Sequence, residues 1–137
     1  NSYRISKKRI QKNAQAILNA LANPEAELSI LVVDDIEITD LNDKYFNRQG
    51  PTNVISFPML EGEFAEISPL LLGDVVISMD TTRREATHSG ISLEERFDQL
   101  LVHGILHLFG YDHERDAAEA RRMEEKSTEL LELIKDI

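Results

Sequence analysis

Cysteine is absent from this sequence of 137 residues, and so is tryptophan. Without cysteine, a disulfide framework and a thiolate metal site are both excluded, so any metal ion must be bound by imidazole or by oxygen ligands. No apolar run approaches the ~20 residues of a membrane-spanning helix, and the N-terminus lacks the hydrophobic region of a signal peptide. We therefore expect a cytoplasmic protein without a membrane partner.

Positively charged residues are few: 15 Lys and Arg stand against 25 Asp and Glu, for a net charge of -10. Because proteins bind phosphate backbones through Lys and Arg, this balance argues against broad nucleic-acid affinity, and we expect no DNA partner. The basic residues form three groups, namely Arg4, Lys7, Lys8, Arg9 and Lys12 near the N-terminus, Arg83 and Arg84, and Arg121 and Arg122. We expect most of them to lie on solvated helix faces, and the first group is the candidate for contact with a polyanion.

The hydrophobic pattern is that of one folded domain. Hydrophobic residues make up 42% of the chain, which at this length suffices for a core without disulfides, so we expect a single domain over residues 1–137. The periodicities predict a helix, a strand, a helix, two strands and three helices, in that order. This order predicts an α+β fold, with one small mixed sheet, helices packed on it and a central buried helix. The abrupt start at Asn1 is compatible with a further strand before it.

Local signals place the elements along the chain. The first half of the chain predicts a helix capped by Ser6 and ended by Asn23–Pro24, a strand over 28–33, and a short helix with Ile38, Leu41 and Tyr45 facing inward. A strand over 54–57, strand formers over 70–78 and a polar helix over 80–89 follow. A capping box of Ser92 and Glu95 opens the next helix, and a final helix starts at about Asp116. The continuous apolar run of 28–33 predicts a strand covered on both faces. A turn is predicted at Gly73 and Asp74, and residues 61–69 are expected to form an exposed connection.

Three of the four histidines fall between residues 103 and 113. In a helix, His103 and His107 project from the same face one turn apart, as two imidazoles on one metal ion require. Gly110 is expected to end that helix in the left-handed conformation, so that the chain turns back and brings His113 to the same point. Three neutral nitrogens with one open position predict a catalytic zinc site with one Zn²⁺ per chain.

The residues around these histidines are almost all apolar, from Leu100 to Phe109. The helix should therefore be buried, and the ring nitrogens inside it need partners, which a metal ion would supply. The alternative is a set of ordinary core histidines bonded to backbone carbonyls. Three imidazoles also suit nickel or copper, with zinc as the default. His88 lies in a polar helix and is expected to be an exposed surface histidine without a role.

The spacing H-x-x-x-H-x-x-G-x-x-H matches the zinc-binding part of one class of metalloproteases. Those proteases carry a glutamate directly after the first histidine as the general base, and here that position is Gly104. Peptide hydrolysis by that route therefore lacks its base.

Three stretches of the chain together resemble the YbeY family of bacterial ribosomal RNA maturation endoribonucleases. They are HGxLHLxGYDH at 103–113, PTNVISFP at 51–58 and LGDVVI at 72–77. They stand in the order in which the family has them, and the similarity extends from about Leu28 to the C-terminal helix.

The resemblance implies a metal-dependent endoribonuclease directed at single-stranded RNA. It implies a role in maturation of the 3' end of 16S rRNA and in ribosome quality control, with zinc bound by His103, His107 and His113. Its partners would be ribosomal RNA and the ribosome or proteins of the small ribosomal subunit.

The sequence departs from the family at one position. The family usually has an arginine directly after the tyrosine that ends the second helix, and here Tyr45 is followed by Phe46. We hypothesise that Arg48, two residues further on, reaches the same phosphate and is catalytic. Asp112 is the second candidate catalytic residue, because it could accept a proton or orient an imidazole; the alternative is a turn-forming aspartate.

Two other functions remain open. The first is a zinc hydrolase of a substrate other than nucleic acid, such as a peptide, amide or ester. Gly104 counts against a peptidase, whereas the negative net charge favours a substrate less anionic than RNA. The second is a non-catalytic ribosome assembly factor in which the metal only holds the C-terminal turn together.

Overall fold

The computed structural model describes residues 5–59, 71–112, 114 and 116–135. The elements are α1 (Lys7–Ala20), β1 (Glu27–Val33), α2 (Asp35–Phe46), β2 (Val54–Pro58), β3 (Leu71–Ser78), α3 (Met79–Ser89), α4 (Leu93–Leu108) and α5 (Ala117–Lys135). The predicted order of helices and strands is confirmed, and so is the α+β class. Among the described helices, none is both long enough and apolar enough to cross a membrane. The predicted connection over 61–69 lies outside the described residues.

The three strands form one mixed sheet in the order β1-β3-β2, with β1 parallel and β2 antiparallel to β3. The central strand β3 is almost entirely buried, and Val75 and Ile77 are fully so. The prediction that β1 is covered on both faces is wrong, since Leu31 and Val32 are 47% and 43% exposed. Burial largely alternates along this strand, as expected when only one face packs on the core, so the apolar run was misleading.

The turn predicted at Gly73 and Asp74 is also wrong, because both residues lie within β3. The register between β1 and β3 shifts at Glu27, so that Leu28 pairs with Gly73, which marks an irregularity in the ladder. Gly73 has φ +139, and a Cβ there would collide with the carbonyl oxygen of Phe57 on β2. Glycine at this position therefore allows β2 and β3 to approach each other closely.

Helix α4 is the central buried helix that the sequence predicts. Ser92 caps it by accepting a hydrogen bond from the backbone N–H of Glu95 at 3.0 Å. Its contacts are with α3 and α5 on one side and with β2 and β3 on the other. The fully buried side chains of α4 are Phe97, Leu101, Val102, Ile105 and Leu106. The helix that carries His103 and His107 is therefore held rigidly by the core.

Asp35 joins α2 to the central strand and to α3. Its carboxylate accepts hydrogen bonds from Ser78 Oγ at 2.6 Å, Thr81 Oγ1 at 2.6 Å and Arg84 Nη1 at 2.7 Å. Desolvation by burial acts to raise the pKa of Asp35, but these three hydrogen bonds and the charge of Arg84 outweigh it, so the pKa lies below its ordinary value. The charged form of Asp35 is thus favoured by folding.

Replacing Asp35 by asparagine should lower the free energy of unfolding at pH 7 by about 1–3 kcal/mol, because hydrogen bonds to a charged acceptor are lost. The lowered pKa gives a stabilisation that is present above the unfolded pKa of about 3.9 and is lost as pH falls through the folded pKa. Urea denaturation at pH 7 and at pH 3 measures the difference in free energy of unfolding between wild type and Asp35→Asn. This difference in free energy should be smaller at pH 3 than at pH 7. Asp40→Asn, on the exposed side of the same helix, is the control. An equal difference at both pH values would refute the stabilising role of the Asp35 carboxylate.

Candidate metal centre

The C-terminal end of α4 turns as predicted. Gly110 has φ +91, its N–H donates to the His107 carbonyl at 3.0 Å, and the N–H of Tyr111 donates to the Leu106 carbonyl at 3.1 Å. These two bonds form a Schellman motif, which satisfies carbonyls of the last turn and reverses the chain. Any L side chain at position 110 would be strained in this conformation.

His103 and His107 lie one turn apart on the same face of α4, as predicted. Their Nε2 atoms are 3.0 Å apart, and their ring centroids are 4.5 Å apart. Two nitrogens bound to one tetrahedral zinc at about 2.0–2.1 Å are separated by about 3.3 Å, so the two rings nearly match what a shared ion requires. Both rings are half-buried and line a cleft, which is not the environment of core histidines.

The third predicted ligand, His113, lies outside the described residues. Glu114 follows it and lines the same cleft as His103 and His107. Within the part of the chain that the structure describes, no group of three or more His, Asp or Glu side chains could hold a metal ion. A zinc ion held by three histidines therefore stays a prediction.

Asp112, predicted as a catalytic residue, holds the turn after the helix. Its Oδ1 accepts a hydrogen bond from the backbone N–H of Glu114 at 2.8 Å. This contact is the one expected of a turn-forming aspartate. Asp112 does not appear among the described residues that line the cleft.

The cleft has a volume of about 320 Å³ and lies between the end of α2, strand β2 and helix α4. The described residues that line it are Asn42, Phe46, Arg48, Thr52, Val54, Ile55, Ser56, Pro58, His103, His107 and Glu114. Among these described residues, Arg48 is the one Arg or Lys, and it lines the same cleft as the two histidines.

Arg48 reaches the cleft because α2 ends abruptly. Asn47, the C-cap residue, is in the left-handed conformation with φ 53, and the N–H of Arg48 donates to the Asn42 carbonyl at 3.3 Å. This turn places both Phe46 and Arg48 on the lining of the cleft. The predicted site residues His103, His107 and Arg48 are thus brought together.

Gly104 lies at the closest approach of α4 to the sheet. A Cβ built there would meet Val75 Cγ1 at 2.7 Å and Val54 Cγ2 at 3.2 Å. The Gly104 carbonyl also accepts a hydrogen bond from Ser56 Oγ at 2.8 Å. A side chain at this position, where metalloproteases have their glutamate, would therefore collide with β2 and β3, and Gly104 is not among the described residues that line the cleft.

Four polar residues of the cleft were not predicted from the sequence. They are Asn42, Thr52, Ser56 and Glu114. Asn42 is buried, and its Nδ2 donates to the Gly50 carbonyl at 3.1 Å, which ties α2 to the loop before β2. Its spacing of four from Ile38 on the inner face of α2 was a signal available in the sequence. Thr52 and Ser56 stand within the stretch 51–58, which carried no chemical interpretation of its own.

The basic groups of the sequence lie on helix surfaces. Lys7, Lys8 and Lys12 are exposed on α1, while Arg4 lies outside the described residues. Arg9 Nη2 contacts Asp98 Oδ2 at 2.8 Å. Burial raises the pKa of Asp98, and Arg9 and Asn13 partly oppose this shift.

The other two basic pairs also contain arginines that form ion pairs with acidic side chains. Arg84 pairs with Asp35 at 2.7 Å, and Arg122 with Glu119 at 3.2 Å. The guanidinium of Arg122 also lies 5.2 Å from the centroid of the Tyr111 ring. His88 is exposed on α3, as predicted.

Comparison with known proteins decides the family. A sequence model of the family described as Endoribonuclease YbeY matches residues 1–135. The chain belongs to the YbeY family. It is 50% identical over 127 residues to Endoribonuclease YbeY of Geobacter metallireducens, a match that covers 92% of this chain and 85% of that protein. It is 51% identical over 134 residues to Endoribonuclease YbeY of Syntrophotalea carbinolica, with 97% and 89% covered.

A solved structure confirms the fold. The solution structure of a Thermotoga maritima protein matches with a TM-score of 0.64, covering 96% of this chain and 85% of that one at 24% sequence identity. The resemblance to the YbeY family rested on three stretches, and each of them contributes to the region around the cleft. Residues 51–58 include β2 and the loop before it, 72–77 lie in β3, and 103–112 form the C-terminal part of α4 and the turn after it.

Proposed function

We propose that this protein is a metal-dependent endoribonuclease that cleaves single-stranded ribosomal RNA in the cleft of His103 and His107. In this proposal it matures the 3' end of 16S rRNA, takes part in ribosome quality control and meets the small ribosomal subunit in the cytoplasm. The observation that carries the proposal is the 3.0 Å separation of the two Nε2 atoms, beside Arg48, in a chain of the YbeY family.

The cofactor of the proposal is one Zn²⁺ per chain, bound by His103, His107 and His113. Glu114 supports His113 as the third ligand, since it is the next residue and lines the cleft. The Schellman motif at Gly110 supports it as well, because it turns the chain back after the two histidines. When bound, zinc would supply Lewis-acid chemistry at an oxygen of the phosphate or of the attacking group.

The residues of the chain have separate tasks in this proposal. The guanidinium of Arg48 binds the phosphate and offsets the negative charge that grows in the transition state. Asn42 holds the loop that follows Arg48, through its bond to Gly50. Asp112 holds the backbone of Glu114 in place, through its bond to the N–H of Glu114.

Replacing Arg48 by alanine should lower the rate of RNA cleavage roughly tenfold or more, without loss of zinc, because a charge-assisted contact to phosphate is removed. Initial rates on a labelled oligonucleotide and zinc content measured on the same samples test this. Arg121→Ala, an exposed arginine on α5, is the matched control and should cleave at the wild-type rate. Equal rates for Arg48→Ala and wild type would rule out the role.

A gel assay with two RNAs tests the proposed activity itself. The protein should cut a single-stranded RNA and leave the same sequence in a duplex intact. Removal of the metal with a chelator should abolish cleavage, and added zinc should restore it. His88→Ala, which changes a histidine outside the cleft, should behave as wild type. Cleavage that survives chelation would contradict the proposal.

The two alternatives are less well supported. A zinc peptidase with the general base after the first histidine is disfavoured, because a side chain at Gly104 would collide with the fully buried Val75, whose Cγ1 lies 2.7 Å from the Cβ position. A non-catalytic assembly factor would need the metal only for folding, whereas α4 is already held by buried contacts with β2, β3, α3 and α5.

A further inference from the structure

Phe46 is an apolar side chain in an unusual place. It is the last residue of α2, lines the cleft beside the histidines and is 43% exposed. Single exposed apolar side chains are common on protein surfaces, but this ring lines the cleft that holds the two histidines, where a bound ligand would cover it. A flat apolar surface beside a fixed positive charge, Arg48, is the combination that binds an unpaired nucleotide through its base and its phosphate.

The ring of Phe46 is held in place. Its centroid lies 5.8 Å from that of Phe57, with the two planes tilted by 37°. Tyr45 contacts the same Phe57 ring edge-on at 5.3 Å, and Phe57 packs on the small core of Ile38, Ile55 and Val76. Asn47, in the left-handed conformation, ends α2 directly after Phe46. The backbone of Phe46 is therefore fixed at the end of the helix, beside the cleft. A ring fixed in this way loses little conformational entropy when a base stacks on it.

We propose that Phe46 is a stacking platform for one unpaired base of the RNA, next to the phosphate that Arg48 binds. This inference rests on the proposed function. It also gives a physical reason for a preference for single strands. In a duplex, each base face is covered by its neighbours and cannot reach Phe46. The cleft of about 320 Å³ lies at the small end of the range of ligand sites, and it suits one nucleotide rather than a duplex.

A kinetic comparison of two RNAs tests the platform. The first is a single-stranded oligonucleotide, and the second is the same backbone lacking the bases that flank the cleaved bond. Phe46→Leu keeps an apolar side chain but loses the ring face, so it should raise KM for the first RNA roughly fivefold or more, with a larger effect on KM than on kcat. KM for the second RNA should not respond to the substitution. Phe46→Tyr keeps the ring and should restore tight binding.

Fluorescence gives a second readout that does not require cleavage. Since the chain contains no tryptophan, Phe46→Trp introduces a single reporter. Its emission should be quenched by the complete RNA and not by the RNA that lacks the bases flanking the cleaved bond. The control is Leu133→Trp, which places the reporter on an exposed position of α5 outside the cleft and should show no base-dependent quenching.

The outcomes separate this inference from the proposed function. Wild-type cleavage with an unchanged KM in Phe46→Leu would overturn the platform and leave the nuclease intact. No wild-type cleavage, together with base-dependent quenching in Phe46→Trp, would support the platform and refute the nuclease. Equal quenching by both RNAs would also overturn the platform.

Discussion

Replacing His107 by alanine is expected to lower the rate of single-stranded RNA cleavage by roughly a hundredfold or more. If zinc is bound as proposed, losing one of its imidazole ligands would remove it, and a Lewis acid contributes several kcal/mol to stabilisation of the transition state. The Nε2 of His107 is 3.0 Å from that of His103, so the substitution acts at the centre of the proposed site. Initial rates and zinc content of the same preparation measure the effect.

The fold should survive this substitution. His107 is only half-buried, while its neighbours Ile105 and Leu106 are fully buried and keep α4 in the core. The circular dichroism spectrum of His107→Ala should therefore resemble that of zinc-loaded wild type and that of metal-free wild type. His88→Ala is the matched control for a histidine change outside the cleft. A purely structural metal predicts the opposite pattern, in which chelation alone lowers the melting temperature strongly and His107→Ala fails to fold.

The second large effect is expected at Gly104. Gly104→Glu should lower the free energy of unfolding by more than about 3 kcal/mol, because it forces a side chain and a charge against a packed sheet. The Cβ alone already meets Val75 Cγ1 at 2.7 Å, and Val75 is fully buried. Gly104→Ala should cost about 1–3 kcal/mol, although alanine has the higher helix propensity. Urea denaturation measures both.

A double mutant identifies the cause of the loss at Gly104. Val75→Ala removes the methyl group that the new Cβ would meet, at the cost of a cavity. If the clash is the cause, Gly104→Ala with Val75→Ala should be less destabilised than the sum of the two single changes. Ala118→Glu on the exposed face of α5 controls for the introduction of a glutamate into a helix. Additive losses would mean that the clash with Val75 is not the cause of the loss.

The order of the elements could be predicted from the sequence because local signals agree with the fold. Ser6 and Ser92 cap their helices through bonds to Arg9 and Glu95, as their positions before apolar periods suggested. Gly110 takes the left-handed conformation that a helix end favours. These features depend on neighbours within four residues, so the sequence alone contains them.

Features that depend on distant segments were not predictable. An apolar run over 28–33 fits a strand at the sheet edge as well as one in its centre, and only the pairing with β3 decides between them. Gly73 fits a turn as well as a close approach to Phe57. The lining of the cleft by Thr52 and Ser56 follows from packing of β2 and the loop before it near α4, which no local pattern reveals.

X-ray absorption at the zinc edge, on protein loaded with zinc, tests most directly whether His103, His107 and His113 bind one ion. We expect one zinc per chain with three imidazole nitrogens at about 2.0–2.1 Å and one oxygen from solvent. A zinc coordinated by two imidazoles or fewer, or the absence of stoichiometric zinc, would contradict the proposed centre.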